Sequence, residues 1–245
     1  MNKITYDSGI QILIYLVLIL PHIANADIFL TSENLNTALK QIQRSQLQIQ
    51  NQDDPESALY SLGKTADDLA ILLSDEVEAH GAENEKLIEL ALDRTQRLQV
   101  NISWFGRHSK FFYDGKALYE YLDLYPDGEY KMDSQFRTIT REFFLSVPQG
   151  EEGLLNAITK KETFIKDFPN HNDISEIEFY LAIDYRDLWR HYHGSSDNQQ
   201  SSQAADATRK QLEHIIEKYR DRDEGEIARR LLERFLVEAA TDTSR

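Results

Sequence analysis

Apolar residues recur along the chain mostly with helical spacing. From Ser32 to Gln50, Leu35, Leu39, Ile42 and Ile49 form one stripe, and Ser32 stands where an N-cap is wanted. The rest of that stretch is rich in Gln, the surface of a helix that lies along a neighbour or pairs with another copy. The run Asn51 to Pro55 breaks it. A second helix is expected over Glu56–His80, with Leu59, Leu62, Ala66, Leu69, Leu72, Leu73 and Val77 on its apolar face and Gly81 closing it. A third opens near Ala82 and runs through Leu87, Leu90, Ala91, Leu98 and Ile102 toward Trp104.

Beyond Trp104 aromatics become dense and a spacing recurs. Tyr121-Leu122, Phe164-Ile165 and Ile215-Ile216 are each followed, after two residues, by an aromatic: Tyr125, Phe168 and Tyr219. Pro126, Pro169 or Arg220 comes next, and then a polar, acidic turn. The closing aromatics lie 43 and 51 residues apart, and the polar stretch Gly194 to Gln203 accounts for the longer interval. Such periods belong to stacked helical hairpins, in which one unit cannot bury its own apolar face. Each turn leads into a further helical run: Phe136 to Phe144, Ile174 to Trp189, and Ile227 to Val237. The segment around Pro148 and Gly150 and the stretch 194–203 are expected to supply the remaining loops.

Composition sharpens this picture. Only 10 Gly and 5 Pro in 245 residues favour helices over β-hairpins, and an apolar content of 41% gives a core to bury. The net charge of −15 opposes attraction to phosphate backbones and anionic lipid headgroups, so nucleic acid is excluded as an expected partner. At the N-terminus, Ile10 to Leu20 is apolar except for Gln11, too short to cross a bilayer of about 30 Å but suited to the core of a signal peptide. Ala24-Asn25-Ala26 follows as an A-x-A cleavage pattern, with cleavage expected after Ala26. The alternative is a membrane tether formed by an uncleaved N-terminus. With no cysteine there is no disulfide framework, thiolate metal site or lipid-accepting Cys, so stability rests on packing.

The segment from Phe164 to Tyr185 resembles the tetratricopeptide-type (TPR) repeats of bacterial envelope proteins, with Phe164, Ile165, Phe168, Pro169, Tyr180, Leu181, Ala182 and Tyr185 at matching positions. Gly115, Ala117, Leu118, Tyr121, Leu122, Tyr125 and Pro126 resemble the start of another unit. A third, degenerate copy keeps Ala228 and Leu232 but has Arg220 for the proline. Members of that family include the lipoprotein of the outer-membrane β-barrel assembly machinery and the periplasmic factor accompanying the Tol-Pal system. The resemblance implies a binding scaffold without catalysis.

The expected architecture is all-α: a signal peptide over 1–26, three long helices over 27–103, and antiparallel hairpins over 104–245 forming a short, right-handed, TPR-like α-solenoid. The expected function is periplasmic or otherwise exported binding of a protein or peptide partner of the cell envelope, without a cofactor. The aromatics Trp104, Phe112, Tyr113, Tyr119, Tyr130, Tyr180 and Trp189 are the candidate partner-binding residues, since large rings anchor interfaces when they are not core. The alternative is an envelope hydrolase acting on peptidoglycan through a carboxylate pair. No nucleophile elbow, P-loop or dinucleotide fingerprint occurs. Asp187, His191 and His193 lack a third ligand at a metal-site spacing, and Asp221, Asp223 and Gly225 do not follow the calcium-loop pattern. The sequon Asn101-Ile102-Ser103 falls within the expected third helix.

Overall fold

The computed structural model describes residues 30–242 apart from 82, 146–149 and 196, and the side chains of 241 and 242 are not described. The expected signal peptide and its cleavage point, and the turn at Pro148, lie outside the described residues. Within them the chain is all-α apart from one small β-hairpin. The elements are α1 (Ser32–Asn51), α2 (Pro55–His80), α3 (Glu85–Arg97), β1 (Ile102–Phe105), β2 (Lys110–Tyr113), α4 (Lys116–Leu124), α5 (Lys131–Leu145), α6 (Gly150–Asp167), α7 (Ile174–Ser195), α8 (Asn198–Lys218) and α9 (Asp223–Asp242). No helix among the described residues is long and apolar enough to cross a membrane. The chain divides into two compact units, one over residues 27–146 and one over 147–245.

In the first unit α2 is the hub, packing against α1, β2 and α4. The Gln-rich α1 therefore lies along a neighbour, with Leu35, Leu39 and Ile42 buried beside Leu59, Ala66, Leu69 and Leu73 of α2. Burying each such leucine or isoleucine contributes roughly 1.5–3 kcal/mol. The cap of α1 is Thr31 rather than Ser32. Its hydroxyl accepts the Asn34 amide while the Asn34 side chain accepts the amide of Thr31, closing a reciprocal box. Gly81 ends α2 at φ 58°, a left-handed value that glycine adopts without Cβ strain.

The third helix does not reach Trp104. It stops at Arg97, and residues 102–113 form an antiparallel hairpin pairing Ile102 with Tyr113, Ser103 with Phe112, Trp104 with Phe111 and Phe105 with Lys110. The sequon thus begins a strand. The physical reason is composition: Ile-Ser-Trp-Phe and Lys-Phe-Phe-Tyr are β-branched and aromatic segments around a Gly106–Ser109 turn. Alternation drives Ile102, Phe111 and Tyr113 into the core, which a helix through the same residues would not do.

The three aromatic-closed turns share one backbone plan. The amides of Tyr125, Phe168 and Tyr219 donate to the carbonyls four residues back, at 2.8, 2.8 and 2.9 Å, closing α4, α6 and α8. Their own carbonyls accept from Gly128, His171 and Arg222, at 3.0, 3.1 and 3.0 Å. The carbonyls of those residues then accept from Lys131, Ile174 and Gly225, at 3.2, 3.1 and 3.1 Å, where the following helix winds up. The residue four before each aromatic, Tyr121, Phe164 or Ile215, is fully buried. The third turn is tight against its own backbone: a Cβ on Gly225 would lie 2.2 Å from the Tyr219 carbonyl oxygen, so no larger residue fits without moving the turn. Three hairpins result, α4/α5 in the first unit and α6/α7 and α8/α9 in the second.

The polar stretch Gly194 to Gln203 is not a long loop. α7 continues to Ser195 and α8 starts at Asn198, where the Asp197 carboxylate caps it by accepting the Gln200 amide at 3.0 Å. Ser201 within the stretch and Ala204 just after it are buried, so part of what reads as a linker is packed helix.

Candidate functional site

In the unit over 147–245, α7 is the central element, with α6 and α8 packed against it and α9 packed on α8 and, more lightly, on α7. Every residue from Ile177 to Asp184 is buried, because helices cover several sides of α7. Two ionic contacts fix those neighbours. Lys161 of α6 donates to Asp184 of α7 at 2.6 Å with both side chains buried. On the other side the buried Glu178 carboxylate accepts from Lys218 of α8 at 2.8 Å, with the His214 ring nitrogen 3.4 Å away. Burial pushes the Asp184 carboxyl up to about 6 despite the opposing ammonium of Lys161.

Beside this frame a groove of about 420 Å³ opens along α8, lined by Tyr185, Gln203, Asp206, Ala207, Lys210 and Gln211. Gln203, Ala207 and Gln211 follow one another every fourth residue and share a helix face. The small Ala207 between two glutamines leaves the space. The half-buried Tyr185 rises from α7 and donates its hydroxyl to Glu162 of α6. Burial and that carboxylate raise the phenol's pKa, so it stays protonated as a donor at neutral pH. Gln211 donates to the Glu178 carbonyl at 3.3 Å, and Arg209 neutralises Asp206 at 3.1 Å. Lys210 makes no ion pair among the described residues and supplies the groove's uncompensated cation.

Such a lining offers carboxamides that both donate and accept, a phenol ring and one ammonium group. It suits hydrogen bonding to a peptide main chain with a ring against apolar side chains. None of its side chains is a serine, cysteine or histidine nucleophile.

The seven aromatics expected to bind a partner fall in different places. Trp104 is 44% exposed and packs edge-on against Phe111. Phe112, Tyr119 and Tyr130 are half-buried. Tyr119 donates to Glu142 and accepts from Arg141, and Tyr130 stacks flat on Tyr60 with ring centroids 4.1 Å apart. Tyr113, Tyr180 and Trp189 are buried at 3%, 1% and 4% exposure and serve as core, so they present nothing to a partner. Five of the seven lie in the first unit and two in the second. Sequence reasoning missed the groove because its lining is polar; the signal was the repeat Gln203, Ala207, Gln211 on a helix face.

The residues weighed for metal binding are otherwise engaged. Asp187 pairs with Arg186 at 3.2 Å and with Arg190 at 3.6 Å, while His193 stacks on Trp189. Among the described residues no group of three His, Cys, Asp or Glu side chains is placed to hold a metal ion. One acid stands apart. Burial, with help from Asp173 and Glu224, pushes the Glu176 carboxyl up to about 7, and Ser175 beside it donates to Glu224 at 3.2 Å.

No protein-family model matches this chain, and no curated protein is significantly similar to it.

Proposed function

We propose that the chain is an exported, non-enzymatic scaffold whose TPR-like hairpins bind a protein or peptide partner of the cell envelope. The observation that carries this reading is the groove over Ala207, built by helices of successive hairpins and lined with peptide-compatible side chains. The repeated turn geometry and the envelope-repeat resemblance of Phe164 to Tyr185 support it, as does the apolar run before Ala24-Asn25-Ala26. In this reading α6/α7 and α8/α9 are successive units of a short solenoid.

Replacing Ala207 by Glu fills the groove at a half-exposed position, so the fold survives. Immobilised protein is expected to retain a specific partner from envelope extracts, and Ala207→Glu is expected to lose at least about tenfold of it, the loss of one well-made contact cluster. Retention of no partner, or equal retention by both proteins, contradicts the proposal. A second reading, an envelope hydrolase, draws on the raised Glu176 carboxyl, which could donate a proton near neutral pH. Clearing of peptidoglycan in a zymogram by the wild type and not by Glu176→Gln selects that reading instead.

A further inference from the structure

The small hairpin has two edges, and among the described residues only one is closed. The Asp114 amide bonds to the Asn101 carbonyl at 3.0 Å, which with the strand register makes 101/114, 103/112 and 105/110 the hydrogen-bonded pairs. The backbone groups of Phe111 and Tyr113 therefore point away from β1, and both residues find partners. Ser74 of α2 accepts the Phe111 amide at 2.8 Å and donates to its carbonyl at 3.3 Å, while Arg141 of α5 donates to the Tyr113 carbonyl at 2.6 Å. On the opposite edge the same alternation aims the amides and carbonyls of Ile102 and Trp104 outward, and no hydrogen bond closes them among the described residues. Ser103 and Trp104 are exposed there.

A row of unpaired strand groups is a template for one more strand. Charge selects its occupant. From Asp93 to Asp114 the chain carries no other carboxylate, while Arg107 lies in the hairpin turn and Lys110 directly follows it, in a protein of net charge −15. A second copy docking edge to edge would bring these cations against their own kind, whereas an acidic strand would meet them favourably. We propose that the outer edge of β1 is a strand-addition site for an extended acidic segment of a partner protein, with Trp104 packing along it. This site lies in the unit over 27–146 and stands apart from the Ala207 groove.

The test uses the full chain and two blocked seven-residue peptides, one alternating valine with glutamate and one alternating valine with lysine. The glutamate peptide is expected to slow hydrogen exchange at the Ile102 and Trp104 amides by about tenfold or more, with little change at Phe111, whose amide is already bonded. The lysine peptide is expected to leave all three unchanged. Trp104→Pro removes one outward amide but keeps the 101, 103 and 105 ladder, and is expected to abolish binding; Trp104→Val, which keeps the edge, is expected to retain it. No protection by the glutamate peptide, equal protection by the lysine peptide, or unchanged binding by Trp104→Pro overturns the proposal. So does sedimentation as a dimer with those two amides protected in the absence of peptide.

Discussion

Replacing Lys161 by Met is expected to destabilise the unit over 147–245 by about 3–5 kcal/mol at pH 7, the usual cost of leaving a buried charge without its partner. Asp184 is 4% exposed and its carboxylate oxygen lies 2.6 Å from the lysine nitrogen, so methionine removes the ammonium while keeping the volume. The pH dependence follows from the direction of the shift. Burial holds the Asp184 carboxyl at about 6, above its unfolded value, so the folded state binds the extra proton. Its contribution is therefore most favourable below the unfolded pKa of about 3.9, and it is lost as pH rises through about 6. The penalty in Lys161→Met should accordingly shrink in acid. Thermal melts of the full chain at pH 7 and pH 5 check this. Adding Asp184→Leu should restore stability to the wild-type level or above, because a buried pair is often no better than the apolar groups that could replace it. If the double variant is as unstable as the single one, the pair does more than neutralise itself.

Replacing Glu76 by Ala is expected to destabilise the other unit by about 3 kcal/mol, because the buried Leu30 amide loses its acceptor and the partly buried Asn84 and His80 side chains lose contact with a buried carboxylate. The Glu76 carboxylate is 1% exposed. It accepts the Leu30 amide at 2.9 Å and the Asn84 carboxamide, and it lies 2.9 Å from the His80 ring nitrogen. Burial raises the carboxyl's pKa, but the bonds from Asn84 and Leu30 and the nearby His80 outweigh it and hold the net value below the ordinary range. The sign here is opposite to that of Asp184. Its stabilisation is fully present above the unfolded pKa of about 4.3 and is lost as pH falls through the lower folded value. Urea titrations at pH 7 and pH 3 should show a large difference between wild type and variant at the first pH and little at the second. Hydrogen exchange should also accelerate at the Leu30 amide, whose acceptor is gone. An unchanged urea midpoint at pH 7 would mean that the Glu76 contacts do not hold Leu30 in place.

Much of the fold is legible in the sequence because the relevant signals are local. Leu35, Leu39 and Ile42 on one stripe, Gly81 after a long apolar face, and an aromatic four residues after Tyr121, Phe164 or Ile215 each determine a backbone event within a few residues. Where reading along the chain fails, the deciding contact is distant. Ser74 closes the β2 edge from 37 residues away, and without that partner residues 102–104 read as the tail of α3. Ser201 looks like a linker residue until the fold buries it.

The site shows the same division. Aromatic richness marked the residues that fill the core, as the buried Tyr113, Tyr180 and Trp189 show, since large rings are wanted first by packing. The groove depends instead on one small residue, Ala207, between two ordinary glutamines, and on a tyrosine held by a carboxylate from another helix. A sequence carries the pieces of that arrangement but not their meeting. The free edge of β1 is less visible still, because it consists of main-chain groups that every residue possesses.

A photocrosslinking amino acid placed at position 207 tests the scaffold reading most directly, with the same residue at position 234 of α9 as the control, since α9 contributes nothing to the groove lining. Irradiated in cells that make the full chain, the 207 variant should yield a discrete crosslinked partner and the 234 variant none. A folded 207 variant that captures nothing, or captures the same species as 234, would contradict partner binding at this groove.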